Sequence, residues 1–108
     1  MASTFTSAVA KDVGTSTSSI LTVPSATTDT LIGLSVANTS AGAITINVYV
    51  TRSGTDYYII KGAAVPVGST FIMSGREQKV ILLAADVLKV SSSAAAAADV
   101  IASILQMT

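Results

Sequence analysis

The chain has 108 residues, six Lys and Arg against six Asp and Glu, no cysteine and no histidine. That length suits one domain with one core, burying roughly 65 % of its unfolded surface; the missing cysteines exclude disulfides and zinc-thiolate sites, and the missing histidines exclude the commonest neutral-pH base and transition-metal ligand. Only 11 % of residues are charged while 50 % are apolar, against about 25 % charged in a typical domain, so a surface short of solvating groups and of zero net charge is expected to be covered by other subunits.

Residues 1–18 are rich in Ser, Thr, Ala and Gly and read as an N-terminal arm that orders only against something it can lie on, with a β-sandwich domain over 19–108. "MASTFTSAVAKDVG" has no basic region ahead of its short apolar stretch, so by pattern it is no signal peptide and the protein is expected to be soluble. "SSILTV" opens the strands. In "DTLIGLSVAN" the alternation puts Ile32, Leu34 and Val36 on one face and Gly33, Ser35 and Ala37 on the other. "AITINVYVTR" alternates more strictly, with Ile44, Ile46, Val48 and Val50 apolar between Thr45, Asn47, Tyr49 and Thr51, the period of a half-buried strand. Between these two, "NTSAG" has hairpin-loop chemistry. A second hairpin, "RSGTD", leads into "YYIIK" with Gly54 free to take a positive φ.

"KGAAVPVGS" holds Gly62, Pro66 and Gly68 and reads as a turn and edge segment. "TFIMS", "QKVILL" and "DVLKVSS" follow at short intervals. The most apolar run, "VILLAADVLKV", is cut by Asp86 and Lys89, well short of the ~20 residues of a spanning helix, so no membrane partner is expected. About seven to eight short strands with no room for a crossover helix predict an all-β antiparallel sandwich, jelly-roll-like.

The end, "SSSAAAAADVIASILQM", is where local physics dissents. Alanine favours helix, Ser93 can cap, and Val100, Ile101, Ile104 and Leu105 fall at helical spacing opposite Asp99, Ser103 and Gln106. Against this stand β-branched Val100, Ile101 and Ile104 and the need of a sandwich for a closing strand.

The succession "LTVPSATTDTLIGLSVANTSAGAITINVYVTRSGTDYYIIKGAAVPVGSTF" and then "LLAADVLKVSSSAAAAADVIASILQMT" resembles the small all-β virion proteins of tailed bacteriophages, over Leu21 to Met107. The resemblance implies a loop plus strand at the C-terminus and departs from the pattern at Ala85, where glycine is expected before Asp86. It also implies a virion structural protein made in the host cytoplasm. That role is a head decoration or cement protein on the major capsid protein, or alternatively a tail- or fibre-associated protein. Its expected state is a homo-oligomer, a trimer by preference, in a closed ring.

No residue pattern carries chemistry, so the expectation is a non-enzymatic protein with no cofactor and no metal. Asp56, Glu77 and Asp86 fall in predicted turns, where acids serve local hydrogen bonds more often than glycoside hydrolysis, and no D-x-D-x-D-G run offers a calcium loop. Lys11, Arg52, Lys61, Arg76, Lys79 and Lys89 are scattered, which argues against nucleic acid as a partner. Tyr49, Tyr58 and Arg76 are the candidate partner contacts. One of Tyr57 and Tyr58 is expected in the core and the other, like Tyr49, outside; Tyr49 serves either a partner or a cross-strand pair. Arg76, in the charged "GREQK", bridges to a neighbour or belongs to a solvated loop. A carbohydrate-binding module, which needs a flat aromatic platform, is the weakest reading for a chain with no Trp and three Tyr.

Overall fold

A computed structural model describes residues 3–74 and 80–108 of the chain. Among them are nine strands: β1 (Ser3–Val13), β2 (Ser18–Thr22), β3 (Thr28–Asn38), β4 (Ile44–Arg52), β5 (Thr55–Val65), β6 (Thr70–Ser74), β7 (Val80–Leu82), β8 (Val87–Ser92) and β9 (Ala98–Met107). They form two antiparallel sheets, one ordered β1-β9-β3-β6 with β7 also on β3, the other β2-β8-β4-β5. The apolar core contains Leu31, Leu34 and Val36 of the first sheet, Ile46, Val48, Leu88 and Val90 of the second, and Val100 and Ile104 of β9. This is the all-β two-sheet architecture that the alternation predicts.

Residues 3–13, read above as an arm, lie along β9 of the same chain as the edge strand β1. The C-terminal segment is a loop followed by a strand, and β9 is central, paired on both sides by β1 and β3. Its inward residues are Val100, Ala102 and Ile104, with Ile101 and Ser103 outward. Tertiary pairing overrides alanine's helix propensity here. The alanines have a packing role instead: Ala97 and Ala98 are fully buried, and a side chain on Gly14 would meet the Ala96 backbone nitrogen at 3.2 Å.

Two expectations are corrected. "NTSAG" is no hairpin loop, since β3 and β4 lie in different sheets. Its turn chemistry redirects the chain: buried Asn38 donates from Nδ2 to the Gly42 and Val65 carbonyls and accepts from the Ser40 amide and hydroxyl. The core face of β3 also begins with Leu31, not Ile32. A bulge sets Leu31 opposite Ile104 and Gly33 opposite Ser103, so Ile32 is the extra residue and the alternation slips by one. "RSGTD", in contrast, is a hairpin: Arg52 pairs Thr55, and Ser53 and Gly54 both take positive φ (52° and 77°), the signature of a type I′ turn. "KGAAVPVGS" completes the edge strand β5, with Gly62 the extra residue of a bulge, and turns at Pro66–Gly68.

The bulge makes a direct test. Leu31→Ala is expected to cost about 2–5 kcal/mol as a cavity in a packed core, and Ile32→Ala distinctly less. Chemical denaturation of the two variants checks this, and the reverse order would restore the unbroken alternation.

Candidate functional site

On the outer face of the second sheet, Tyr49 and Tyr58 face each other across β4 and β5, their ring centroids 4.8 Å apart and tilted by 32°. Tyr49 sits on the outward parity of its strand but is only 7 % exposed, because Tyr58 covers it and its hydroxyl lies 2.6 Å from the Thr17 hydroxyl. The cross-strand pair is therefore the role of Tyr49, and it is not a free contact. Tyr58 remains half exposed, with the Lys61 ammonium 5.0 Å from its ring centre. Neither Tyr57 nor Tyr58 enters the core: Tyr58 lies on the outer face beside Tyr49, and Tyr57, near the hairpin end of the edge strand β5, stays exposed at an open cleft. With Tyr49 covered and the rings tilted, the three tyrosines make no flat platform. Arg76 and Glu77 lie outside the described residues.

A second feature escaped the sequence. Val50, Arg52, Tyr57 and Ile59 face Val80–Leu82 across an open cleft of about 420 Å³ between β5 and β7. At its margin Arg52 grips Asp86. Nε lies 2.9 and 3.0 Å from the two carboxylate oxygens and Nη2 2.5 Å from Oδ2, which also accepts the Leu83 amide at 2.8 Å. Asp86 is 1 % exposed. The Arg52 hydrogen bonds, helped by the Leu83 amide and opposed by burial, hold its carboxyl below the ordinary carboxylate value, and the same contact raises Arg52. Asp86 thus serves the local hydrogen bonding expected of a turn acid, and Asp56 likewise accepts from the Thr51 hydroxyl at 2.6 Å, at the start of β5 rather than in a turn.

The turn before Asp86 closes through the Asp86 amide on the Leu83 carbonyl, and Ala85 stands there at φ 71°. This is the position where glycine was expected, and the backbone adopts the glycine conformation without it. Asp29 is fully buried on β3, and both its oxygens lack a hydrogen-bond partner among the described residues.

No group of three or more His, Cys, Asp or Glu could hold a metal ion among the described residues. No helix there is long and apolar enough to cross a membrane. What the surface offers is contact. The outer face of the first sheet exposes Phe5, Val9, Ile72, Ile81 and Ile101, at 76, 69, 70, 58 and 52 %. Register sets Val9 beside Ile101, with Ser35 between Ile101 and Ile72, so that three exposed apolar side chains and one serine form a row crossing the sheet. Sequence patterning missed this row because its members belong to four strands and each is ordinary in its own. No protein-family model matches the chain, and no curated protein matches it significantly.

Two outcomes follow for the Asp86 turn. Because the native carboxyl titrates below its unfolded value of about 3.9, the ionised pair contributes stability fully above that value and loses it as pH falls through the native one. Asp86→Asn is therefore expected to melt lower at pH 7, by about 1–3 kcal/mol of stability, and to lose less than the parent between pH 5 and 2. Ala85→Gly is expected to raise the melting temperature by a few degrees, on the order of 1 kcal/mol, by relieving the left-handed alanine. Melting curves against pH check both.

Proposed function

We propose that the chain is a non-enzymatic virion structural protein, a head decoration or cement protein of a tailed bacteriophage that binds the major capsid protein as a homo-oligomer. The observation that carries this reading is the apolar outer face of the first sheet, where Val9, Ile72 and Ile101 stand more than half exposed in one row. A domain with so few charges gains solubility by covering such a face, and a repeating protein shell is a partner large enough to cover it on every copy.

The strand order adds support. With β6 and β7 counted as one interrupted strand along β3, the sheets read 1-8-3-6 and 2-7-4-5. The chain then passes from sheet to sheet in the manner of the jelly roll, an architecture common in capsid proteins. Fold by itself assigns no function; the exposed row and the resemblance over Leu21 to Met107 add the virion reading.

Purified protein is expected to cosediment saturably with expanded heads of the phage whose genome encodes it, at a fixed ratio to the capsid subunit, and to raise their melting temperature. An Ile72→Asp/Ile101→Asp variant should keep its own melting temperature and lose head binding. Association with purified tails but not heads would replace this reading with a tail role.

A further inference from the structure

The first sheet ends at β1, and among the described residues nothing pairs with its other side. Open edges recruit strands, and proteins blunt them with charge, bulges, proline or brevity. The other edges here are blunted. β5 carries Asp56 and Lys61 and has extra residues at Ile59 and Gly62; β2 spans only Ser18–Thr22 and has a register shift; β6 and β7 are short. β1 is different: Ser3–Ala10 runs in unbroken register against β9 with no charge, no proline and no glycine. Its first irregularity lies between Ala10 and Val13, at the left-handed Asp12 (φ 55°).

We infer that β1 pairs antiparallel with β1 of a second copy of this chain about a twofold axis at Ser7, joining two first sheets into one continuous sheet. The observations select this occupant. An uncharged edge matches an uncharged edge, and among the described strands β1 alone supplies one that is both long and in unbroken register. With Ser7 opposite itself, Thr4–Ala10 of one protomer meets the same residues reversed, so Phe5 falls beside Val9 of its partner and Thr6 beside Ala8. Both Phe5 and Val9 face outward and are largely exposed in one copy, and β9 places Leu105 and Ile101 beside them. Pairing thus extends the row Ile101–Val9 into Phe5–Leu105 of the partner, twice about the axis, and aromatic beside β-branched is a favourable cross-strand pair. Backbone hydrogen bonds provide the attachment and the side-chain row fixes the register. A twofold pairing of this kind makes a dimer and not the trimer preferred on the sequence. The inference rests on the homo-oligomer part of the proposed function but not on head binding.

The test uses the full chain, which has no cysteine of its own. Light scattering across a micromolar dilution series is expected to show a dimer. Ser7→Cys should then form a disulfide-linked dimer under mild oxidation, since directly opposed residues lie about 4.5–5.5 Å apart between Cα atoms, within disulfide reach. Ser103→Cys, one strand inward on the same face and likewise exposed, should not. Phe5→Lys/Val9→Lys sets lysine against lysine and is expected to weaken dimerisation on the order of a hundredfold. Phe5→Lys/Val9→Glu sets lysine against glutamate in the proposed register and should restore it. The exposed positions leave the fold intact, which melting curves verify. A trimer would overturn the edge pairing while keeping self-association, and a monomer throughout would overturn both. Equal cross-linking at Ser7→Cys and Ser103→Cys, or failure of the glutamate to rescue, would overturn the register and with it the inference.

Discussion

Asp86 is a carboxylate in a nearly dry site whose charge is answered, and the way it is answered organises one end of the molecule. Its two oxygens take Arg52 from the end of β4 and the Leu83 amide from its own turn, while its carbonyl accepts the Val23 amide and the neighbouring Ala85 amide donates to Val23. Three connections that are far apart in sequence meet there: the one leaving β2, the β4–β5 hairpin and the turn between β7 and β8. The interaction carries stability because it is nearly complete. The two partners are unequal: without Arg52 the buried Asp86 carboxylate is left stranded and burial works against the fold, whereas without Asp86 the half-exposed Arg52 returns to water. The left-handed strain at Ala85 is held by the same bonds, so the turn keeps a glycine geometry that its sequence does not favour.

The opposite end is closed by neutral polar groups. Asn38 binds the Gly42 and Val65 carbonyls, and the Ser92 hydroxyl, with one proton to donate, lies 2.7 Å from the Ala94 carbonyl and 3.0 Å from that of Val13. Between the two ends the core is aliphatic, and neither Tyr nor Phe is fully buried in it. Such a core needs close approach of the sheets, which the fully buried Ala97, Ala98 and Ala102 permit. The surface ion pair Lys11–Asp99, at 3.9 Å and with the lysine largely in solvent, adds little by comparison.

Much of this was legible in the sequence where one strand face is polar. β4 announced itself because Thr45, Asn47 and Thr51 separate its core residues. β9 did not, because Ile101 and Leu105 are apolar on the outward side and turn a period of two into a plausible period of 3.6. The bulge at Ile32 left no local mark in a run of aliphatic residues, whereas Gly62 marked its bulge. The Asn, Ser and Gly of "NTSAG" serve a hairpin and a sheet crossing alike, and only the distant Val65 carbonyl distinguishes the crossing from the hairpin that the sequence predicts. Of the candidate contacts, parity alone could not reveal that Tyr58 would cover Tyr49. The Arg52–Asp86 cleft joins residues 34 positions apart and has no local pattern to find.

The two sheets divide the surface unequally, and that division constrains any role. Outside the second sheet stand Thr45, Asn47, Lys61 and the tyrosine pair, polar or amphipathic groups that water tolerates. Outside the first stand Phe5, Val9, Ile72, Ile81 and Ile101, large apolar side chains on β1, β6, β7 and β9. Core packing does not require them: each points away from the interior, and a polar residue in its place would preserve the alternation that built the strand. An outward isoleucine is common when alone, yet a registered row across several strands has a price in solubility for a chain of zero net charge. The uncharged edge of β1 borders that row directly, so covering the edge and covering the face are one problem. A partner strand at β1 extends the face as well as closing the edge, and leaves an enlarged apolar surface on one side of a body whose other side is polar. A body with two such unlike sides has a built-in orientation on any surface that it coats.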